Sequence, residues 1–147
     1  MFQGAQLLNL DVKGRLAVPT RHRDTLQGAP DAKLVLTAHP HRCLVLYRED
    51  SWAPIRERLM TFPSADPVAS LWKRVMIGYA EVLEIDGAGR VLVSPELRRF
   101  AVIDRQVMMV GQGSHFELWS QEAWDKQLDL LVSATDKVPT GMENFVL

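Results

Sequence analysis

The sequence lacks the features that would place it in several large classes. It has one cysteine, Cys43, so no internal disulfide can form and the fold must stand on its core alone. It has no apolar run long enough to span a bilayer, and Met1-Phe2-Gln3-Gly4 opens it without a basic stretch. Neither export nor membrane insertion is expected, and the cytoplasm is the default. Net charge is nearly absent as well: 17 Lys and Arg stand against 18 Asp and Glu in 147 residues. Patterns for chemistry are also missing. His39-x-His41-x-Cys43 has no second Cys/His pair nearby to complete a zinc site. Ser94 and Ser114-His115 lack a nucleophile-elbow glycine pattern, and Gly111-Gln112-Gly113 lacks the third glycine of a phosphate loop. Asp86-Gly87-Ala88-Gly89 lacks the further carboxylates of a calcium loop. No enzyme, metal, cofactor or small-molecule substrate is therefore expected.

What is present suits a compact protein. An apolar fraction of 47% with 24% charged residues can build a core and excludes disorder as the main state. The near-zero charge hides an imbalance. Residues 1–60 hold nine Lys/Arg and six Asp/Glu, while residues 61–147 hold eight and twelve. A mild basic excess in one half can face an anionic partner although the whole molecule is neutral.

The chain repeats itself. Leu7-Leu8-Asn9-Leu10-Asp11-Val12-Lys13-Gly14-Arg15-Leu16-Ala17-Val18 lies over Val82-Leu83-Glu84-Ile85-Asp86-Gly87-Ala88-Gly89-Arg90-Val91-Leu92-Val93 at an offset of 75 without a gap. Leu44-Val45-Leu46-Tyr47 with Trp52 lies over Phe116-Glu117-Leu118-Trp119 with Trp124 at offset 72. Each copy reads as ββαββα. An apolar run ends at Asp11 or Asp86, a tight turn follows, and a second run starts at Arg15 or Arg90. Such a turn needs positive φ near its end, which Gly14 and Gly89 supply, while the aspartate accepts backbone N–H bonds and fixes the geometry. Ser94 with Pro95, and Ser120, are good helix starts. Strands are expected around Leu34–Thr37, Leu44–Tyr47, Val107–Val110 and Phe116–Trp119. Trp52, Ile55 and Leu59, and Trp124, Leu128 and Leu131, mark apolar helix faces. The four tryptophans read as core residues. Val68, Leu71, Trp72, Val75 and Met76 after Asp66-Pro67 predict an amphipathic linker helix. The expected organisation is a first domain over 1–62, a linker helix over 63–80, a second domain over 81–132 and a mobile tail over 133–147.

Each turn holds an arginine at its exit. A guanidinium on such rigid backbone can make bidentate contacts to phosphate or guanine. Arg15 has basic company in Lys13, Arg21 and Arg23, so the first copy is the stronger candidate for a nucleic-acid surface. In copy two Arg90 stands beside Ala88 and Glu96, although Arg98 matches Arg23. The same spacing also suits ion pairs, Asp11 with Arg15 and Asp86 with Arg90, that only clasp the turn; by spacing alone this is the simpler reading.

These residues resemble the MraZ family of bacterial transcriptional regulators. The match rests on Met1-Phe2-x-Gly4, Asn9-Leu10-Asp11-x-Lys13-Gly14-Arg15-Leu16-x-Val18-Pro19, Asp86-Gly87-Ala88-Gly89-Arg90 and Phe116-Glu117-Leu118-Trp119, and covers roughly residues 1–132. The resemblance implies an α+β, mainly β fold: two AbrB-like (SpoVT/AbrB) copies joined as one pseudo-symmetric swapped-hairpin β-barrel with flanking helices. It also implies assembly into closed rings that bind short direct repeats of double-stranded DNA in the promoter of a division and cell-wall gene cluster, commonly as a repressor, in the cytoplasm and at the nucleoid. The DNA-binding residues it suggests are Lys13, Arg15, Arg21, Arg23 and Arg90, with Asp11, Gly14, Asp86 and Gly89 fixing the turns. The alternative from a different class is a ring-forming interaction scaffold without a specific DNA target.

Overall fold

A computed structural model describes residues 1–134 and 138–146. Copy one contributes β1 (Ala5–Asn9), β2 (Arg15–Ala17), α1 (Thr20–Gln27), β3 (Leu34–Ala38), β4 (Leu44–Arg48) and α2 (Glu49–Met60). The linker helix α3 (Pro67–Met76) follows, and copy two repeats the pattern with β5 (Glu81–Leu83), β6 (Arg90–Leu92), α4 (Pro95–Ala101), β7 (Gln106–Gly111), β8 (Phe116–Trp119) and α5 (Gln121–Ser133). The element order is thus ββαββα on either side of α3. The helix starts have the expected chemistry. Ser120 accepts from the Ala123 N–H, and Asp66 from the Ala69 N–H, with Pro67 next to it.

The strands make two antiparallel sheets, a six-stranded one in the order β1-β7-β8-β4-β3-β5 and a two-stranded ribbon of β2 and β6. The order is palindromic: exchanging copy one for copy two maps it onto itself. Outer pairings cross between copies, β1 on β7 and β5 on β3, and so does the ribbon. The turn after β1 therefore does not close an ordinary hairpin. One bridge, Leu10 to Leu16, joins its arms before β1 goes to β7 and β2 to β6. Leu16, Val18, Val91 and Val93 from the ribbon share one core with Leu34, Leu36, Leu44, Leu46, Phe116 and Leu118 from the large sheet. The α+β, swapped-hairpin expectation holds.

Helices α2 and α3 cover the other side of β3 and β4, where Val35, Val45, Tyr47, Trp52, Leu59 and Met76 form a second cluster. Thr37 is buried there and donates its hydroxyl to the Met76 carbonyl at 2.6 Å. Of the four tryptophans, Trp52 and Trp119 are core, Trp119 on a strand; Trp124 is half-buried and Trp72 is exposed. Of the expected tail, Ser133 still belongs to α5, residues 138–146 hold turns without helix or strand, and 135–137 and 147 lie outside the described residues.

Three histidines, His22, His39 and His115, are held below the ordinary 6.5, burial being the first cause for each. Neighbouring positive charge adds to the effect: Arg21 beside His22, and between imidazoles the coupling of His41 to His39 and of His39 to His115, which disfavours charging both of a pair. Glu117 opposes it at His115, whose ring stacks on Tyr47 at 4.4 Å. The unfolded chain then binds more protons, so stability present above about pH 6.5 is lost as pH falls from there through the depressed values of the folded state. Thermal melts are expected to drop between pH 7 and pH 5. His115→Phe, which keeps a ring against Tyr47, should make that drop shallower, as a pH series of melting curves will show.

Candidate nucleic-acid interface

The site grows out of strand alternation. Arg15 pairs with Leu92, Leu16 with Val91, and Ala17 with Arg90. Leu16 and Val91 point into the core, so Arg15, Ala17, Arg90 and Leu92 share the outer face of the ribbon. Both arginines thus project from one short platform, 29% and 34% exposed along their side chains.

The two turns are built alike. The Gly14 N–H donates to the Asp11 carbonyl at 3.0 Å, and the Gly89 N–H to the Asp86 carbonyl at 2.9 Å, with φ +84° and +76° at the glycines. Oδ1 of Asp11 accepts from the Lys13 and Arg15 backbone N–H groups, and Oδ1 of Asp86 from those of Ala88 and Arg90, all at 2.9 Å. Those hydrogen bonds, the one from the arginine N–H first, hold both carboxyls below the ordinary carboxylate value. Oδ2 takes the arginine Nε, at 2.7 Å for Arg15 and 3.0 Å for Arg90. Arg90 Nη1 also lies 3.9 Å from Asp11 Oδ2, so the two turns form one four-residue cluster. The clasp read from spacing is real, but it uses one nitrogen. Among the described residues, neither Nη of Arg15 makes a hydrogen bond. An arginine pinned by Nε with its outer nitrogens uncommitted is preorganised to grip an oxyanion or a guanine edge.

A second pair of arginines braces these turns, and spacing gave no sign of it. Arg23 donates Nε to the Val18 carbonyl at 2.8 Å, and Arg98 donates to Val93 at 3.0 Å. Each lies across the turn glycine of the other copy. A Cβ on Gly89 would sit 2.4 Å from the Arg23 guanidinium, and one on Gly14 2.9 Å from that of Arg98. Gly89→Ala must therefore displace Arg23 as well as adopt positive φ, and is expected to destabilise the fold by about 1–3 kcal/mol. Denaturant unfolding of the variant measures this, with Gly87→Ala, where space is open, as the control.

The remaining basic residues separate. Lys13 stands exposed within the first turn. Arg21 leans instead over the start of β1, with Nη2 3.5 Å from Gln6 Oε1 and Nε donating to His22. Arg105, which the sequence reading did not single out, lines a depression beside the first turn with Asp11, Val12, Arg98 and Asp104. His39 and His41 face each other at 4.8 Å, and Cys43 is buried with its thiol pushed up to about 12 by desolvation. Among the described residues, no group of three or more His, Cys, Asp or Glu side chains is placed to hold a metal ion.

A family model described as "MraZ protein, putative antitoxin-like" matches the chain twice, over residues 1–75 and 76–142. The chain belongs to the MraZ family. Each MraZ match contains one Asp-x-x-Gly-Arg turn. Among curated relatives, the "Transcriptional regulator MraZ" of Methylobacillus flagellatus is 55% identical over the full length of both chains. Those of Azoarcus sp. and Dechloromonas aromatica are 52% and 51% identical, also over both full lengths. All three relatives are named as transcriptional regulators. Among the described residues, no helix is long and apolar enough to cross a membrane.

Proposed function

We propose that this chain regulates transcription by binding double-stranded DNA through the outer face of the β2–β6 ribbon. The observation that carries the reading is the cluster of Asp11, Arg15, Asp86 and Arg90, in which two rigid turns hold two guanidinium groups on one exposed platform. Arg15 and Arg90 grip phosphate or a guanine edge, Lys13 adds a phosphate contact from the turn, and Arg21 adds one farther along the surface. Arg23 contributes from beneath the second turn, where its cation adds to the local field while its Nε secures Val18. Asp11, Gly14, Asp86 and Gly89 fix the geometry, and no catalytic role is assigned.

One subunit of net charge −1 offers few phosphate contacts, and affinity grows with the number neutralised. A closed ring repeats the platform, and linked weak contacts on spaced sites can exceed single-site affinity by about 10²–10⁴. Short direct repeats in a promoter, that of the division and cell-wall cluster which the family resemblance suggests, are the target such a device fits. Repression follows if the bound ring occludes the promoter. The working location is the cytoplasm, at the nucleoid. Residues 1–62 and 81–132 each supply one turn, with 63–80 between them.

Footprinting on the DNA upstream of the gene tests this, repeated over a salt series. Specific protection that weakens steeply with salt, at about −0.9 in log–log slope per phosphate contacted, is expected. The second reading, a ring-forming scaffold, is favoured by the exposed apolar residues of α3 and α5; it predicts no footprint and only weak, sequence-blind DNA association.

A further inference from the structure

The outer face of the β2–β6 ribbon carries its two arginines at opposite corners, and the other two corners are not alike. The register sets Leu92 across from Arg15 and Ala17 across from Arg90. Ala17 stands 75 residues before Leu92, at the matching place in the repeat, so one copy puts a methyl group there and the other an isobutyl group. The inward places of the ribbon go to Leu16 and Val91, and strand alternation turns Leu92 outward, where it is 48% exposed. The fold gains little from an apolar side chain left half in water beside the Asp11, Arg15, Asp86 and Arg90 cluster.

Charge limits what can cover Leu92. A partner that does so must also satisfy the guanidinium groups beside it, whose burial without anionic or acceptor groups is costly. A nucleic-acid groove offers both kinds of surface at once. Width then selects the groove. The major groove of B-DNA, about 12 Å wide, admits a two-stranded ribbon, whereas the minor groove is only about 6 Å wide. In the major groove the apolar group on a base edge is the 5-methyl of thymine, and guanine O6 and N7 lie there within reach of an arginine fork.

We propose that Leu92 is a specificity-determining residue, whose side chain packs in the major groove on the 5-methyl group of a thymine next to the contact made by Arg15. Ala17 is too short to do the same beside Arg90, so the methyl is read on one side of the platform only. The inference rests on the DNA-binding reading above and deepens it: the arginines supply affinity and contacts to guanine or phosphate, and Leu92 adds a demand for thymine over cytosine at one position. One methyl-sized group taken out of water is worth about fourfold in affinity, and linked subunits on repeated sites multiply that preference.

Uracil differs from thymine by that methyl alone, so gel-shift titrations of the full chain on the footprinted promoter fragment, made with deoxyuridine in place of thymidine, test the contact. Wild type is expected to bind the uracil DNA about fourfold more weakly, or more where several subunits engage. Leu92→Ala should bind thymine and uracil DNA alike, at the weaker value; the position is exposed, and circular dichroism melts verify that the variant is folded. Uracils placed singly should trace the loss to one thymine in each protected repeat. A loss spread evenly over all thymines reports duplex stiffness and would overturn the contact. So would a wild type indifferent to the methyl, or a Leu92→Ala variant as sensitive to it as wild type. Each of these results leaves binding through the arginines standing. A wild type that gives no footprint on the thymine fragment removes the DNA-binding reading itself, and this inference with it.

Discussion

Arg15→Ala is expected to lower affinity for the promoter DNA by about 10²-fold or more while leaving the subunit folded and assembled. One lost arginine grip on a base edge costs about 1–3 kcal/mol, and a ring that bridges repeats loses it at every engaged subunit. The fold should tolerate the change, because Oδ1 of Asp11 accepts backbone N–H groups of residues 13 and 15, which alanine keeps. Arg15→Lys is the informative companion. Lysine retains the charge but offers no planar fork and no Nε for Asp11 Oδ2, so most of the loss should remain. Recovery of full binding by lysine would reduce the role of Arg15 to a bare charge. Unchanged binding by the alanine variant, in an intact oligomer, would remove this face from consideration. Arg90→Ala, read in the same gel-shift series, is expected to weaken binding less, since its turn carries Ala88 in place of a lysine.

The second large effect is in stability, and it separates two residues that the repeat makes equivalent. Trp52→Ala is expected to destabilise the fold by about 3–5 kcal/mol, because the side chain is buried in the α2–α3 cluster against Tyr47 and cannot be replaced by water without a cavity. For a chain of this size that is a fall in melting temperature of about 10 °C or more. Trp124→Ala, at the matching position, should cost only about 1 kcal/mol in the monomer, since its ring is half-buried and packs on Trp119 of β8 beside Met108 and Val110 of β7. Equal losses measured by denaturant unfolding would contradict the uneven covering of α2 and α5.

Local structure was legible because its causes are local. Ser120 caps α5, Asp66 caps α3, and the turn aspartates sit within four residues of the groups they bind. Partner choice was not, since it depends on contacts that no short window contains. Two apolar runs flanking Asp11–Gly14 show a tight turn but not where its arms go: Ala5 pairs with Val110, more than a hundred residues away, and among the described residues the Leu10–Leu16 bridge is what joins the two arms. The site shows the same division. The clasp of Arg15 on Asp11 followed from spacing, whereas the meeting of Arg90 with Asp11 required the ribbon register. Arg21 and Arg23 counted alike as basic residues on one short helix. Their two-residue separation turns them to different sides, one over Gln6 and the other beneath the Gly89 turn. Trp72 was read as core from its place in an apolar stripe, but that stripe runs past the end of what α2 can cover.

The crossing of β1 onto β7 and β5 onto β3 has a further effect on what the molecule can become. Two identical separate chains woven together this way would be obliged to carry matching loops, and a two-fold reader is suited to inverted half-sites. Joined through α3, the halves are free to drift apart, so that Lys13 in copy one corresponds to Ala88 in copy two, and Arg21 to Glu96. The platform thereby acquires a direction, a head distinct from a tail, and successive subunits can all lie the same way along a polar track.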